Sequence, residues 1–339
     1  MKSILPKIIV IAGPTASGKT ALSLEIARKF NGEIVSADSR QIYRGMDIGT
    51  AKPAKAEMDG IKHHLIDIKN PDENYTVAEY KKDAIQAINK ILKNGKLPIL
   101  VGGTGLYIKA VIDNLTIPEI KPDPRFRQKL EKELEIKGLL YLYEKLIKLD
   151  PEAAYIIDRH NPRRVIRALE IIRGSGKLYS SQRKKGKKIF DALEIGVNMP
   201  KDKLREKIEK RVDIMVKKGL IQEVKNLLKK YPPETAAFDA IGYREIIDYL
   251  KDADKCRLKL INADISINQQ ESLPAGRQAH KSASLKEAVE QIKNNTWQYA
   301  KRQMTWFNKD NRIQWAETNG KALRLLHKFI IPRQYWAQR

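Results

Sequence analysis

Cysteine is almost absent from this chain of 339 residues: Cys256 stands alone, which excludes an intramolecular disulfide and any cysteine-cluster zinc site. Histidine is scarce too, and of the five only His63 and His64 are adjacent, so a metal centre built from imidazoles is not expected. No apolar run approaches the roughly 18 residues needed to span a bilayer. An apolar, strand-like run is reached by Ile8 without a secretory core or a small-residue cleavage site, so a cytoplasmic location and no membrane partner are expected. Acidic residues are also in short supply. Asp and Glu number 41 against 65 Lys and Arg, a net charge of +24, and that excess favours a polyanionic partner. The blander reading, lysines kept for solubility, explains the charge without a partner. What the chain does have is apolar residues, 42% of the total, enough to bury the core of a main domain with a smaller one beside it.

Residues 7–11 form a short β-branched run ahead of Gly13, which predicts a buried parallel strand. Leu22, Ile26 and Phe30 lie at helical spacing within Thr20–Phe30, and a second strand, Glu33–Ala37, follows at once. Val77, Tyr80, Ala84, Ile88 and Ile91 make one helical stripe over Thr76–Asn94, with a capping box at Thr76 and Glu79 and a stop at Gly95. A third strand, Leu97–Val101, runs into Gly102-Gly103-Thr104-Gly105 and another helix. This alternation predicts an α/β fold, a parallel sheet flanked by helices.

After Pro118, Pro122 and Pro124 the pattern turns helical, with Asp123–Lys137 closed by Gly138 and Asn161–Arg173 closed by Gly174. The basic run from Gly174 to Lys188 is expected to be a mobile return linker, and Asp191–Asn198 resumes the strand pattern. The expected organisation is a core split into residues 1–120 and 190–339, around a mostly helical insertion at 121–189. Lys201–Lys230 predicts a helix broken at Gly219, and Leu285–Asn308 a long one. Residues 252–284 lack sustained periodicity and are expected to be a disordered surface insertion. The basic, amphipathic tail 321–339 suggests no role.

Chemistry enters at Gly13-Pro14-Thr15-Ala16-Ser17-Gly18-Lys19-Thr20, which fits G-x-x-x-x-G-K-[ST] between a strand and a helix. In that setting successive backbone N–H groups and the helix N-terminus face phosphate oxygens, Lys19 adds a point charge, and Thr20 offers its hydroxyl to Mg²⁺. The motif leaves open which phosphate compound is held. Many such proteins hold Mg²⁺ with an acid at a strand end, yet Leu97–Val101 ends in glycines. Glu33–Ala37 ends instead in Asp38-Ser39-Arg40-Gln41, placing Asp38 in the ligand crevice as a general base or metal-side ligand, unless it merely serves a turn. Asp67, after His63-His64-Leu65-Ile66, is a rival acid; the histidines read as structural. Arg163, Arg164 and Arg167 share one helix, and Arg173, Lys177, Arg183, Lys184, Lys185, Lys187 and Lys188 continue the charge. Trp297, Tyr299, Lys301, Arg302, Gln303, Trp306 and Phe307 interleave aromatics with cations, as unpaired RNA bases require. The competing reading makes these aromatics core, but adjacent Trp306 and Phe307 face different ways, so at least one lies off the core.

These segments together resemble the tRNA dimethylallyltransferases, also called tRNA isopentenyltransferases, from about Ile8 to Asn308 with 252–284 interposed. The likeness rests on Gly13–Thr20, Ser36–Pro53, His63–Asp67, Gly102–Tyr107, Asn161–Glu170, Ala240–Glu245 and Tyr299–Phe307, in that order. It implies a P-loop NTPase-like sheet and a monomeric enzyme that uses Mg²⁺. The implied reaction moves a dimethylallyl group from dimethylallyl diphosphate to N6 of the adenosine beside the anticodon, in tRNAs reading codons that start with U. Gly13, Pro14, Thr15, Ala16, Ser17, Gly18, Lys19 and Thr20 would then hold the diphosphate, with Thr20 also on the metal. Asp38 would be the general base, and Thr104 and Arg127 would complete the site. The resemblance assigns the anticodon stem-loop to Asp38, Ser39, Arg40 and Gln41, and to Arg163, Arg164, Val165, Ile166 and Arg167. It adds Ala240, Ile241, Gly242, Tyr243, Arg244 and Glu245, and then Lys301, Arg302, Gln303, Met304, Thr305, Trp306, Phe307 and Asn308. Trp297 and Asn308 stand where the family commonly has Arg, which removes two phosphate contacts.

Three other readings compete. A small-molecule kinase using ATP leaves the basic insertion unexplained, and a nucleotide-switched RNA-binding protein makes Asp38 incidental. An adenylate isopentenyltransferase shares the chemistry, but a free nucleotide needs neither the insertion nor the basic patches.

Overall fold

A computed structural model describes residues 5–118, 120, 123–182, 185–253 and 284–330. Residues 254–283 of the expected insertion, 331–339 of the tail, and Arg183 and Lys184 lie outside the described residues. The chain divides into two compact units, Met1–Tyr75 with Asp83–Ile108 and Phe190–Arg339, and Thr76–Lys82 with Lys109–Ile189.

The first unit is built on six parallel strands: β1 (Lys7–Ala12), β2 (Gly32–Ser36), β3 (His63–His64), β4 (Leu97–Gly102), β5 (Asp191–Val197) and β6 (Gln314–Ala316). Their order is β3-β2-β4-β1-β5-β6, so β1 lies inside, between β4 and β5. Ile8, Ile9, Val10 and Ile11 of β1 are buried without remainder, which is why the strand reads as an unbroken apolar run. Ala12 pairs level with Gly102 on one side and Gly196 on the other, so the loops after β1 and β4 leave from the same edge. Helix α1 (Lys19–Lys29) follows β1, and its Leu22, Leu24 and Ile26 pack into the sheet core with Ile34 and Ile99. Helix α2 (Val77–Lys93) starts on the expected capping box, Glu79 N–H donating to Thr76 Oγ1 and Thr76 N–H to Glu79 Oε2. Helix α3 (Gly105–Ile112) follows β4.

In the second unit α4 (Pro124–Leu149) is interrupted at Gly138, whose φ of 80° breaks the helix where its predicted end lay. Helix α5 (Pro162–Ser175) begins on an Asn161 cap. It does not end at Gly174. A Cβ there would sit 2.5 Å from Ile120 Cγ2, so this glycine serves a close approach, and Gly176 at φ 66° takes the cap. Leu130, Leu142, Leu146, Val165 and Leu169 form the unit's core. The run after Gly174, expected to be a mobile linker, makes hydrogen bonds at its described residues: Asp150 accepts from Ser180 N–H and Oγ at 2.8 Å, and Asn114 Nδ2 donates to Lys187 O.

The remaining helices belong to the first unit. Helices α6 (Lys201–Lys217) and α7 (Leu220–Leu228) meet at Gly219, φ 99°, as predicted. Helix α8 covers 243–253, and α9 (Leu285–Phe307) carries a Ser284–Glu287 capping box. The tail's first part proves to be structural: α10 (Asn319–Ile330) buries Ala322 and Leu326 in the sheet core.

Candidate active site

The loop after β1 opens at the shared strand edge. Gly18 has φ 98° with open space at its missing Cβ, so backbone conformation is what demands glycine there. The turn it makes starts α1 and aims that helix's first N–H groups into the loop. Ser17 Oγ is buried and has no hydrogen-bond partner among the described residues, a polar atom that a phosphate oxygen would satisfy. Lys19 Nζ folds back onto Pro14 O. Burial, reinforced by Arg211, pushes its ammonium down to about 7, while Asp38 pulls the other way. The loop therefore holds unmet positive potential, which a diphosphate would relieve.

Three elements close around it. From α6, Arg211 Nη1 donates to Thr15 Oγ1 at 3.1 Å; burial lowers its pKa and Asp38 opposes the shift. From β2, the chain turns at Asp38, whose Oδ1 accepts from the N–H groups of Arg40 at 2.9 Å and Gln41 at 3.4 Å. That is the turn role considered above, yet Oδ2 makes no hydrogen bond among the described residues, so the carboxylate serves the turn with one oxygen only. From β4, Thr104 N–H donates to Ala37 O, and its hydroxyl accepts from Ser39 N–H at 3.1 Å. Thr104 thus stands beside Asp38 across the β2–β4 seam.

Helix α9 packs over this last loop. Tyr299 stands beside Thr104, and burial together with the Asp38 carboxylate pushes its phenol up to about 12. Gln303 reaches both Thr15 and Gly103, and Trp306 lies against Gly105. Sequence reasoning missed Arg211 and gave Tyr299 and Gln303 no part in the phosphate site. The available signal for Arg211 was a cation on the apolar face of α6, next to Ile208 and Val212.

The rival acid does not join the site. Asp67 pairs with Lys52, which also holds Asp47 and donates to Tyr43 O at 2.7 Å. His64 Nε2 lies 2.7 Å from the buried Glu33 carboxylate, so it is structural, as expected. Arg127 stands on α4 in the second unit, where its guanidinium makes a two-pronged bond to Glu170 at 2.8 and 2.9 Å. Arg167 shares that buried carboxylate at 3.2 Å and donates to Ile120 O.

Within the segments assigned to RNA, the structure separates exposed from packed side chains. Arg163 and Arg164 are exposed on the first turn of α5, whereas Val165 and Ile166 are core. Arg244 is exposed, but Tyr243 is fully buried, stacked on Phe238 and donating to Glu223 at 2.6 Å. Glu223 also accepts from the N–H groups of Asp47, Ile48 and Gly49, so this pair fixes the loop that follows Met46. Glu245 is buried, accepting from Gly242 N–H and Asn295. On α9, Lys301, Arg302, Thr305, Trp306 and Asn308 are exposed, Gln303 and Phe307 buried. Trp297 packs beside Leu204, Ile208 and Ala16, with Lys301 Nζ 5.9 Å above its ring.

A family described as IPP transferase matches residues 41–310. A tRNA dimethylallyltransferase of Acetivibrio thermocellus is 44% identical over 315 residues, covering 92% of this chain and 91% of its own. The full-length tRNA isopentenylpyrophosphate transferase of Bacillus halodurans superposes with a TM-score of 0.65 at 40% identity, over 96% of this chain and 95% of that one. A eukaryotic dimethylallyltransferase acting on tRNA superposes with a TM-score of 0.75 at 28% identity, over 96% of this chain and 79% of its own.

Proposed function

The chain belongs to the IPP transferase family, and we propose that it transfers a dimethylallyl group from dimethylallyl diphosphate to N6 of adenosine 37 in tRNAs reading codons that start with U. The observation that carries this reading is the meeting of an unmet phosphate cradle with one carboxylate: Ser17 Oγ, Lys19 and Arg211 on one side, Asp38 on the other.

An exocyclic amine conjugated with a purine is a weak nucleophile until it loses a proton. As N6 bonds to the allylic carbon, that carbon's bond to oxygen breaks, its electron pair leaves with diphosphate, and the N6 proton passes to Asp38. Oδ1 is fixed by the Arg40 and Gln41 amides, so Oδ2 is the acceptor. Lys19, Arg211, the loop amides and the α1 N-terminus receive the charge that develops on the leaving diphosphate.

Among the described residues no group of three or more His, Cys, Asp and Glu could hold a metal ion. Thr20, exposed on the first turn of α1, would hold it together with diphosphate oxygens, in keeping with the few protein ligands Mg²⁺ takes. Bound there, it would neutralise leaving-group charge. The exposed Arg163, Arg164, Arg244, Lys301 and Arg302, with the half-buried Arg40, would meet RNA phosphates, and Trp306 offers a stacking face. Apart from Arg127 on α4, every group named for the phosphate site comes from the first unit of this one chain, which suits a monomer. No described helix is long and apolar enough to cross a membrane.

The test is mass analysis of an anticodon stem-loop carrying A36-A37-A38 after incubation with dimethylallyl diphosphate and Mg²⁺. One five-carbon unit on A37 is the expected result. Transfer to free AMP but not to the stem-loop, or phosphate release from ATP with unmodified RNA, would overturn it.

A further inference from the structure

Gln303 sits in the middle of a segment that the family resemblance gives to RNA, yet its side chain turns inward. It is 6% exposed, its Oε1 accepts from Thr15 N–H at 2.9 Å, and its Nε2 donates to Gly103 O at 2.9 Å. A single amide therefore ties the phosphate loop after β1 to the glycine loop after β4. The space for it exists only because residue 103 lacks a side chain, since a Cβ there would lie 2.2 Å from Nε2. Neighbouring turns of α9 repeat the contact. Tyr299 stands beside Thr104 four residues earlier, and three residues later the Trp306 indole lies where a Cβ on Gly105 would be, at 2.1 Å. Positions 299, 303 and 306 form one helical face, while Lys301, Arg302 and Thr305 lie exposed.

We propose that Gln303 is a positioning residue for the diphosphate rather than an RNA contact: its amide sets the distance between the Thr15 and Gly103 loops, so that the cradle is shaped before the donor arrives. The proposal rests on the function given above. A preshaped cradle avoids the cost of ordering its backbone at the moment of binding, which is where affinity is gained. Because the same helix exposes Lys301 and Arg302 to solvent, the clasp also joins an RNA-facing strip to the donor loop through one rigid element.

The test uses the full chain with two variants that break the clasp from opposite ends. Gln303→Met keeps the volume and loses both hydrogen bonds; Gly103→Ala keeps the glutamine and pushes its amide away. Inorganic pyrophosphate affinity is read by calorimetry, stem-loop affinity by fluorescence anisotropy, and KM for dimethylallyl diphosphate separately from kcat. Each variant is expected to weaken pyrophosphate and raise the donor KM roughly tenfold or more, the range for a buried hydrogen-bonding group left unmet. RNA affinity should stay within about twofold, and the double variant should be little worse than either single one, because both remove the same contact. Weakened RNA binding with pyrophosphate unchanged would overturn the proposal, as would fully additive losses. If wild-type protein binds pyrophosphate through an intact clasp yet never modifies RNA, the functional reading falls while the clasp stands.

Discussion

Asp38→Asn is the most discriminating single change, because it separates the two jobs this residue performs. The substitution is isosteric, and an amide oxygen still accepts from Arg40 N–H and Gln41 N–H, so the turn after β2 and the Thr104–Ser39 contact should survive. What disappears is an oxygen able to take a proton and a negative charge beside two half-buried cations. Loss of a general base is worth about 10²- to 10⁴-fold in rate, or roughly 3 to 5 kcal/mol on the barrier. The charge has a second effect. Asp38 counters the pKa lowering of both Lys19 and Arg211, so its removal should carry the Lys19 ammonium below about 7 and raise the donor KM more at high pH than at low. The assay is single-turnover addition of the five-carbon unit at saturating donor, with stem-loop affinity measured in parallel. A rate within about threefold of wild type, at unchanged RNA affinity, would refute the base assignment.

Lys19 should couple donor binding to proton uptake. The free lysine titrates near 7, and a bound diphosphate stabilises its charged form, so binding takes up a proton above that pH and almost none well below it. Pyrophosphate calorimetry in buffers of different ionisation enthalpy measures this. Lys19→Arg, always charged, should lack it, and equal uptake by both proteins would refute the shift. Tyr243→Phe removes the 2.6 Å bond to Glu223 and should cost about 2 kcal/mol, seen as a lower urea midpoint at constant slope. An unchanged midpoint would argue against the role given to that pair. Arg164→Ala should weaken stem-loop binding and flatten its salt dependence by about one phosphate contact, whereas an unaltered slope would return Arg164 to the bare surface.

Strands β1, β2, β4 and β5, the phosphate loop and most helix ends were legible because their determinants are local, whereas the three-residue β6 is too short to show a pattern. β1 announces itself by four buried apolar residues in succession, and the stops at Gly138 and Gly219 by glycines that must adopt positive φ. Gly174 misled because a glycine that admits Ile120 reads the same as one that ends a helix. The site was legible where a motif carries it, at Gly13–Thr20 and Asp38, and obscure where distant segments meet. Arg211 is one cation among many on α6; its place beside Ile208 and Val212 hints that it turns inward, but only the fold shows that it meets Thr15, 196 residues away. Tyr243 and Glu245 mark a recognisable segment, but a motif does not say which way its side chains point, and these two face inward.

The Gln303 clasp also bears on when the protein can first act during its own synthesis. Thr15 and Gln303 are 288 residues apart, so the phosphate loop leaves the ribosome long before the helix that shapes it. At about 5 to 20 residues per second, the interval is roughly 15 to 60 seconds. The sheet is completed later still, since β6 lies at 314–316 and Lys7 on β1 binds the carbonyl of Phe329. A nascent chain therefore carries a donor loop without its brace until the segment around residue 303 has been made and has folded back onto it.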